Sequence, residues 1–257
     1  MLNNATVSKL LEMKLSTMAN EFLLQEADSN ISAMSFNERF GLLVDSEYTA
    51  RENGRLSRLI RSAGYPCPGA CLEDVEYHSD RKLDKDAITR LGTCNYISER
   101  RNVIIQGATG SGKTFLACAL GMAANRRFYS VRYVRLPDLF VELSLARIEN
   151  NFTKIMNSYQ KFKLLILDEW LLYPLKETEA RDLLELVERR YRNVSTIFCS
   201  QFATQGWHEK IGDILLADAV CDRIVHEAYT LTIYGDISMR ERKGLSASEV
   251  NAAKQVM

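Results

Sequence analysis

Eight consecutive residues could do chemistry on a phosphate. Gly107, Ala108, Thr109, Gly110, Ser111, Gly112, Lys113 and Thr114 fit the spacing G-x-x-x-x-G-K-S/T at every fixed position. Glycines let successive backbone N–H groups turn toward one anion. A helix starting at the end of the loop adds its unpaired N–H groups and the positive end of its dipole. In such a loop Lys113 reaches the β- and γ-phosphates of ATP, and the Thr114 hydroxyl ligates Mg²⁺. A second stretch complements it. Lys163-Leu164-Leu165-Ile166-Leu167 is apolar after its first residue and runs into two carboxylates, Asp168 and Glu169. Asp168 is expected to meet the Mg²⁺ ion through water, and Glu169 to orient and deprotonate the attacking water. Acidic residues also follow strands as helix caps, but beside a phosphate loop the pair points to hydrolysis.

These residues need a strand, a turn and a helix to position them, and the flanking sequence supplies each. Asn102-Val103-Ile104-Ile105-Gln106 reads as a buried strand, and the Ala-rich run Phe115–Ala124 as a buried helix. Further strands are expected at Ser130–Arg135, Lys163–Glu169, Ser195–Cys199 and Tyr229–Tyr234. Continuous apolar runs mark parallel strands buried on both faces, and ligands bind at their carboxyl ends. Ser200 and Gln201, at the end of one such strand, are therefore expected beside the γ-phosphate.

Helices alternate with the strands. Pro137 suits a helix start, and Phe152, Ile155, Met156 and Tyr159 mark a second helix before the acidic strand. Lys82 to Tyr96 has helical spacing. In Glu177–Arg192, Ala180, Leu183, Leu184, Val187 and Tyr191 are expected to face inward. A last helix at 214–226 contains Asp222-Arg223, and a charged tail follows Gly235. The fold class is α/β with a parallel five-stranded sheet, preceded by a small all-helical domain. Gly64-Tyr65-Pro66-Cys67-Pro68-Gly69 breaks the helical pattern, so the domains are expected at 1–64 and 65–257.

In the first domain Val7, Leu10, Leu11, Leu15, Met18, Ala19 and Phe22 form one apolar stripe. Ser35 with Glu38 makes a capping box that opens a second helix, and a third is expected at about 49–63. On that third helix Arg51, Arg55, Arg58 and Arg61 share one face. A solvated face and a phosphate-binding stripe explain them equally well.

The 257 residues are 46% hydrophobic and 26% charged, ordinary values for a globular chain. The 33 basic and 33 acidic residues cancel, so a nucleic-acid site has to be a local patch. Of six cysteines, Cys118 and Cys199 lie in apolar runs, as in a reduced cytosolic protein. Cys67 and Cys71 have no second Cys/His pair, so zinc is not expected. With no run long enough for a membrane span and no signal-peptide core, the expected location is cytoplasmic, with no membrane partner.

With the loop, Leu167-Asp168-Glu169-Trp170, Glu188-Arg189-Arg190-Tyr191, Ser195-Thr196-Ile197 and Ser200-Gln201, the sequence resembles the IstB-type transposition helper ATPases. Trp207-His208, Leu216-Ala217-Asp218-Ala219, Asp222-Arg223, Val225-His226 and Ser238-Met239-Arg240 resemble them too. That group belongs to the AAA+ ATPases and is similar to DnaC-like helicase loaders. The resemblance covers about residues 70–240. It implies a P-loop AAA+ three-layer sandwich whose protomers assemble with ATP on double-stranded DNA and recruit or regulate a transposase. It places Ser200 and Gln201 at the γ-phosphate sensor, although many relatives carry Asn there. It matches Arg223 to the arginine finger that completes a neighbouring protomer's site, where spacing alone would pair it with Asp222 or Asp218. The chain lacks a full C-terminal helical lid, as the loaders do, and Arg240 is a candidate second sensor.

The alternative is a helicase loader gripping single-stranded DNA and a replicative helicase, which the core motifs do not separate from the first reading. A small-molecule kinase on the same loop would need an arginine-rich lid that the sequence does not offer.

Overall fold

The computed structural model describes residues 2–28, 31, 34–235 and 237–242. The chain divides into two compact units, Met1–Arg58 and Leu59–Met257.

The first unit holds α1 (Leu2–Glu12), α2 (Ser16–Ala27) and most of α3 (Phe36–Ala63). The apolar stripe from Val7 to Phe22 is not one helix. Lys14 takes a left-handed φ of 60°, and the N–H groups of Lys14 and Leu15 return to the carbonyls of Leu11 and Leu10. That double bond pattern closes a helix end. Conversely, the two helices expected at 36–44 and 49–63 are one, because Asp45-Ser46-Glu47-Tyr48 contains neither Gly nor Pro to stop it. The Ser35/Glu38 box opens it, with Ser35 N–H donating to Glu38 Oε2 at 2.9 Å. Glu47 ties the unit together, accepting from the Met18 N–H at 3.0 Å and from Arg51 Nε at 2.7 Å. The division falls after Arg58, inside α3, rather than after residue 64. Ile60 and Ala63 of its last turns pack into the core of the second unit.

The second unit runs through α4 (Lys85–Gly92), α5 (Asn95–Ser98), β1 (Asn102–Gly107), α6 (Lys113–Arg126), β2 (Val131–Arg135), α7 (Leu136–Ile148) and α8 (Phe152–Lys161). It continues through β3 (Leu164–Trp170), α9 (Glu177–Arg190), β4 (Ser195–Ser200), α10 (Trp207–Ile211), α11 (Ile214–Val225), β5 (Ala228–Ile233) and α12 (Met239–Arg242). The helix expected from Lys82 to Tyr96 starts later and is interrupted. The Asp84 carboxylate caps it by accepting the Ala87 N–H at 2.9 Å, and Cys94 at φ 62° separates α4 from α5.

The sheet is parallel throughout, in the order β2-β3-β4-β1-β5. Alternate strand residues feed opposite faces. Val103, Ile105, Val131, Tyr133, Ile166, Ile197 and Cys199 pack under α6. Ile104, Val134, Leu165, Leu167 and Phe198 pack under α7, α9 and α11. The result is a three-layer α/β/α sandwich. Its strand register brings Arg135 opposite Asp168 and Gln106 opposite Ser200, so all carboxyl ends open on one edge.

Helix α9 buries a different stripe from the expected one. Leu183 and Val187 are buried as read, but so are Asp182, Leu186 and Arg190, while Leu184 and Tyr191 stay half-exposed. Among the described residues Arg190 meets no carboxylate. Its Nη1 donates to the carbonyls of Tyr159 at 2.6 Å and Phe162 at 3.1 Å, its Nη2 to that of Ser195, and its Nε to Thr196 Oγ1 at 3.0 Å. Burial lowers its pKa to about 9. This arginine is a structural tie between α8, α9 and β4.

Candidate functional site

β1 delivers the loop, and α6 begins inside it, at Lys113, with Gly112 at φ 96° before it. The Lys113 ammonium lies back on the loop, donating to the carbonyls of Gly107 at 2.7 Å and Ala108 at 2.8 Å. Burial lowers its pKa, and the Asp168 carboxylate opposes that shift. Two carbonyl oxygens in place of anionic partners leave this cation ready to exchange them for phosphate oxygens.

β3 carries the acidic pair. Asp168 is buried, 5% exposed, and its carboxylate accepts three hydrogen bonds. Thr114 Oγ1 donates to Oδ2 at 2.7 Å, Tyr133 OH to Oδ2 at 2.8 Å, and the Glu169 N–H to Oδ1 at 2.8 Å. Burial, reinforced by the Asp168 charge, raises the Tyr133 pKa and keeps the phenol a donor. Glu169 sits at a register shift between β3 and β4 with a left-handed φ of 54°. A non-glycine residue held there is strained, and such strain clusters at working sites. Its Oε2 accepts from Arg135 Nη2 at 2.8 Å. Beneath it Trp170 is fully buried against Phe198 and Trp207, with ring centroids 4.6 and 5.4 Å away, which fixes the strand end.

The two residues expected together at the end of β4 part company. Gln201 faces the loop, its Oε1 accepting from Thr109 Oγ1 at 2.8 Å. Ser200 is fully buried and turns the other way, donating to the Trp170 carbonyl at 3.3 Å and accepting from the Phe202 N–H at 3.1 Å. Ser200 shapes the turn, and Gln201 alone reaches the loop.

A cavity of about 480 Å³ adjoins Gly110, Gly112, Lys113 and Thr114, with Pro66, Cys67, Val75, Phe115, Leu116 and Met239 among its walls. Its apolar lining and charged mouth suit a flat ring system attached to phosphates.

Arg223 lies on α11, away from the loop in its own chain. Its Nη2 donates to Glu188 Oε1 at 2.9 Å and its Nη1 to the Ala219 carbonyl at 2.8 Å, so the partner is Glu188 rather than Asp222 or Asp218. Arg51, Arg55, Arg58 and Arg61 are all exposed on α3. Arg51 is also tied to Glu47 and to the Lys14 carbonyl, and Arg55 lies 3.8 Å from Glu52. Arg240 falls within α12, its side chain outside the described residues, as are residues 243–257 of the charged tail.

Three residues in contact with the site were not read from the sequence: Tyr133, Arg135 and Arg81. The first two lie on a strand that neighbours the acidic one, Arg135 at its end, and polar residues there were the available signal. Arg81 carried none. Among the described residues no helix is long and apolar enough to cross a membrane.

A sequence profile of the family described as IstB-like ATP binding protein matches residues 8–247. The chain is 38% identical over 243 residues, 95% of its length and 99% of the other's, to an insertion-sequence ATP-binding protein of Sinorhizobium fredii. Among solved structures it resembles DnaI, at 23% identity and a TM-score of 0.58, covering 70% of this chain and 97% of that one. It also resembles the replication initiator DnaA bound to AMPPCP and single-stranded DNA, at 22% identity and a TM-score of 0.56, covering 67% of this chain and 52% of that one. Those two likenesses speak for the fold.

Proposed function

The chain belongs to the IstB-like ATP-binding protein family and is a P-loop ATPase of AAA+ fold, and we propose that it is an ATP-dependent DNA-binding helper of transposition. In this reading protomers assemble on double-stranded DNA with ATP, recruit or regulate the cognate transposase, and disassemble on hydrolysis. The convergence of Thr114, Asp168 and Glu169 at the mouth of the phosphate loop carries the reading.

Each residue has a role that follows from its place. The loop N–H groups from Ala108 to Thr114 bind the phosphates, and Lys113 moves from the loop carbonyls to the β- and γ-phosphate oxygens. The Thr114 hydroxyl and Asp168 carboxylate are hard oxygen donors already 2.7 Å apart, which fits Mg²⁺. Bound there, the ion would supply positive charge beside the β- and γ-phosphate oxygens. Glu169 takes the proton of the attacking water once the γ-phosphate competes with it for Arg135. Gln201, against Thr109, senses the γ-phosphate. Arg223 leaves Glu188 to stabilise charge on the phosphate of an adjacent protomer, which makes hydrolysis depend on assembly. The exposed face of Arg51, Arg55, Arg58 and Arg61 contributes phosphate contacts to DNA.

Fluorescence anisotropy of labelled duplex and single-stranded DNA, with and without ATP at fixed salt, tests this reading. ATP-dependent, cooperative binding to duplex is expected. A preference for single strands would replace the reading with a helicase loader, and absence of binding to either would remove DNA from the function.

A further inference from the structure

The loop can aim its N–H groups inward only if the carbonyls of the same peptides are turned outward and satisfied there. Two of these carbonyls are held by segments distant in sequence. Arg81 Nη2 donates to the Ser111 carbonyl at 2.8 Å. The Met239 N–H donates to the Gly110 carbonyl at 2.8 Å. These two donors lie on opposite sides of the ATPase unit in sequence, yet they grip adjacent peptides of one loop.

The contacts are close enough to leave no slack. A Cβ on Gly110, at φ 79°, would come within 2.7 Å of Ser238 Cβ, and one on Gly112, at φ 96°, within 3.0 Å of Arg81 Nη2. Arg81 is itself buried, 5% exposed, and is fixed by a second hydrogen bond from Nη1 to the Glu76 carbonyl. Its Nε and the nearby Ser111 Oγ are both buried without a hydrogen-bond partner among the described residues. The two gripping segments are also fastened to each other. The Tyr234 N–H donates to the Arg81 carbonyl at 3.1 Å, and Arg242 pairs with Asp80. Ser238 caps the short α12 by accepting the Glu241 N–H at 3.0 Å, which places Met239 at the first helical position with its N–H free for the loop.

We propose that Arg81 and the Met239 N–H form a clasp that sets the orientation of the phosphate-loop N–H groups, making Arg81 a positioning residue for nucleotide phosphates. Burial lowers the Arg81 pKa, and the Glu76 and Asp80 carboxylates oppose that shift. The inference rests on the phosphate-loop reading given above.

The test compares Arg81→Gln, Met239→Pro and Lys113→Ala in the full chain, titrated with fluorescent analogues of ATP, ADP and AMP. Met239→Pro deletes the N–H, since proline is tolerated at the first position of a helix, together with a side chain that lines the cavity, and Met239→Ala, which keeps the N–H, isolates that second effect. Met239→Pro therefore remains informative if Arg81→Gln folds poorly. Both clasp variants should weaken ATP and ADP by about tenfold, the loss of one good hydrogen bond, while AMP, which leaves the β-phosphate position empty, changes little. Arg81→Lys, which keeps the charge but not the fork, should restore part of the loss. Unchanged ATP affinity in both variants, or an equal loss for AMP, would overturn the clasp. If Lys113→Ala also left ATP affinity unchanged, the phosphate-loop reading itself would fall.

Discussion

Thr114 Oγ1 and Asp168 Oδ2 lie 2.7 Å apart, joining the first turn of α6 to the end of β3 across the intervening strand β4. The pair presents two oxygens at one point. Asp168→Asn and Thr114→Ala should each abolish the gain in ATP affinity that Mg²⁺ brings, a loss of about tenfold or more, while Thr114→Ser keeps it. Calorimetric titration of ATP with Mg²⁺ and with a chelator measures that gain. An equal gain in Asp168→Asn and the parent would remove Asp168 from the metal site.

Glu169→Gln keeps the shape of the side chain and its strained backbone but removes the carboxylate proposed as the base. ATP binding should persist while turnover falls by about a hundredfold or more. Phosphate release under saturating ATP is the readout, and a variant that turns over normally would assign the proton to another group.

Arg223 donates to Glu188, and in the proposed assembly it acts on the site of a second protomer. Arg223→Ala should bind ATP as the parent does and lose turnover by about a thousandfold in the assembled state. Mixing it with Glu169→Gln should restore some activity, because a protomer lacking only the finger can receive one from its neighbour. No recovery across mixing ratios would count against a finger supplied in trans.

Thiol chemistry offers a probe of the cavity. Burial pushes the Cys118 pKa up to about 12 and that of Cys221 to about 11, so both are protonated and unreactive at pH 8. Cys67 is half-exposed and lines the cavity beside the loop. Iodoacetamide at pH 8 should label Cys67, and ATP should slow that labelling several-fold. Mass spectrometry of the labelled peptides decides it, and labelling indifferent to ATP would place the nucleotide elsewhere.

Arg190 is a structural tie outside the site, with four hydrogen bonds. Arg190→Ala would leave the carbonyls of Tyr159, Phe162 and Ser195 buried without their donor, costing about 3 kcal/mol or more and lowering Tm by about 5–10 °C. Thermal unfolding checks this, and a Tm within a degree of the parent would show that the carbonyls find other partners.

The motifs that could carry the chemistry, and the class of fold, are legible in the sequence alone. The loop Gly107–Thr114 and the pair Asp168-Glu169 are local patterns, fixed by what a curled backbone and a strand end can present, and apolar runs between them mark a parallel sheet. Tertiary structure decided what depends on a neighbour distant in sequence. Lys14 ends a helix that the apolar stripe would continue, and nothing stops α3 where a break was expected, because helix ends depend on one residue's φ as much as on pattern. Ser200 and Gln201 are adjacent, but strand alternation sends one into the core and the other to Thr109. Arg190 lies in the charged run Glu188-Arg189-Arg190 and Arg223 beside Asp222 in a largely apolar helix, and only packing buries one against carbonyls and leaves the other on an acidic partner. Arg81 reaches Ser111 across thirty residues of chain, a meeting that no periodicity encodes. Local spacing sets which groups exist, whereas their partners are fixed by the layers that bring separate segments into contact.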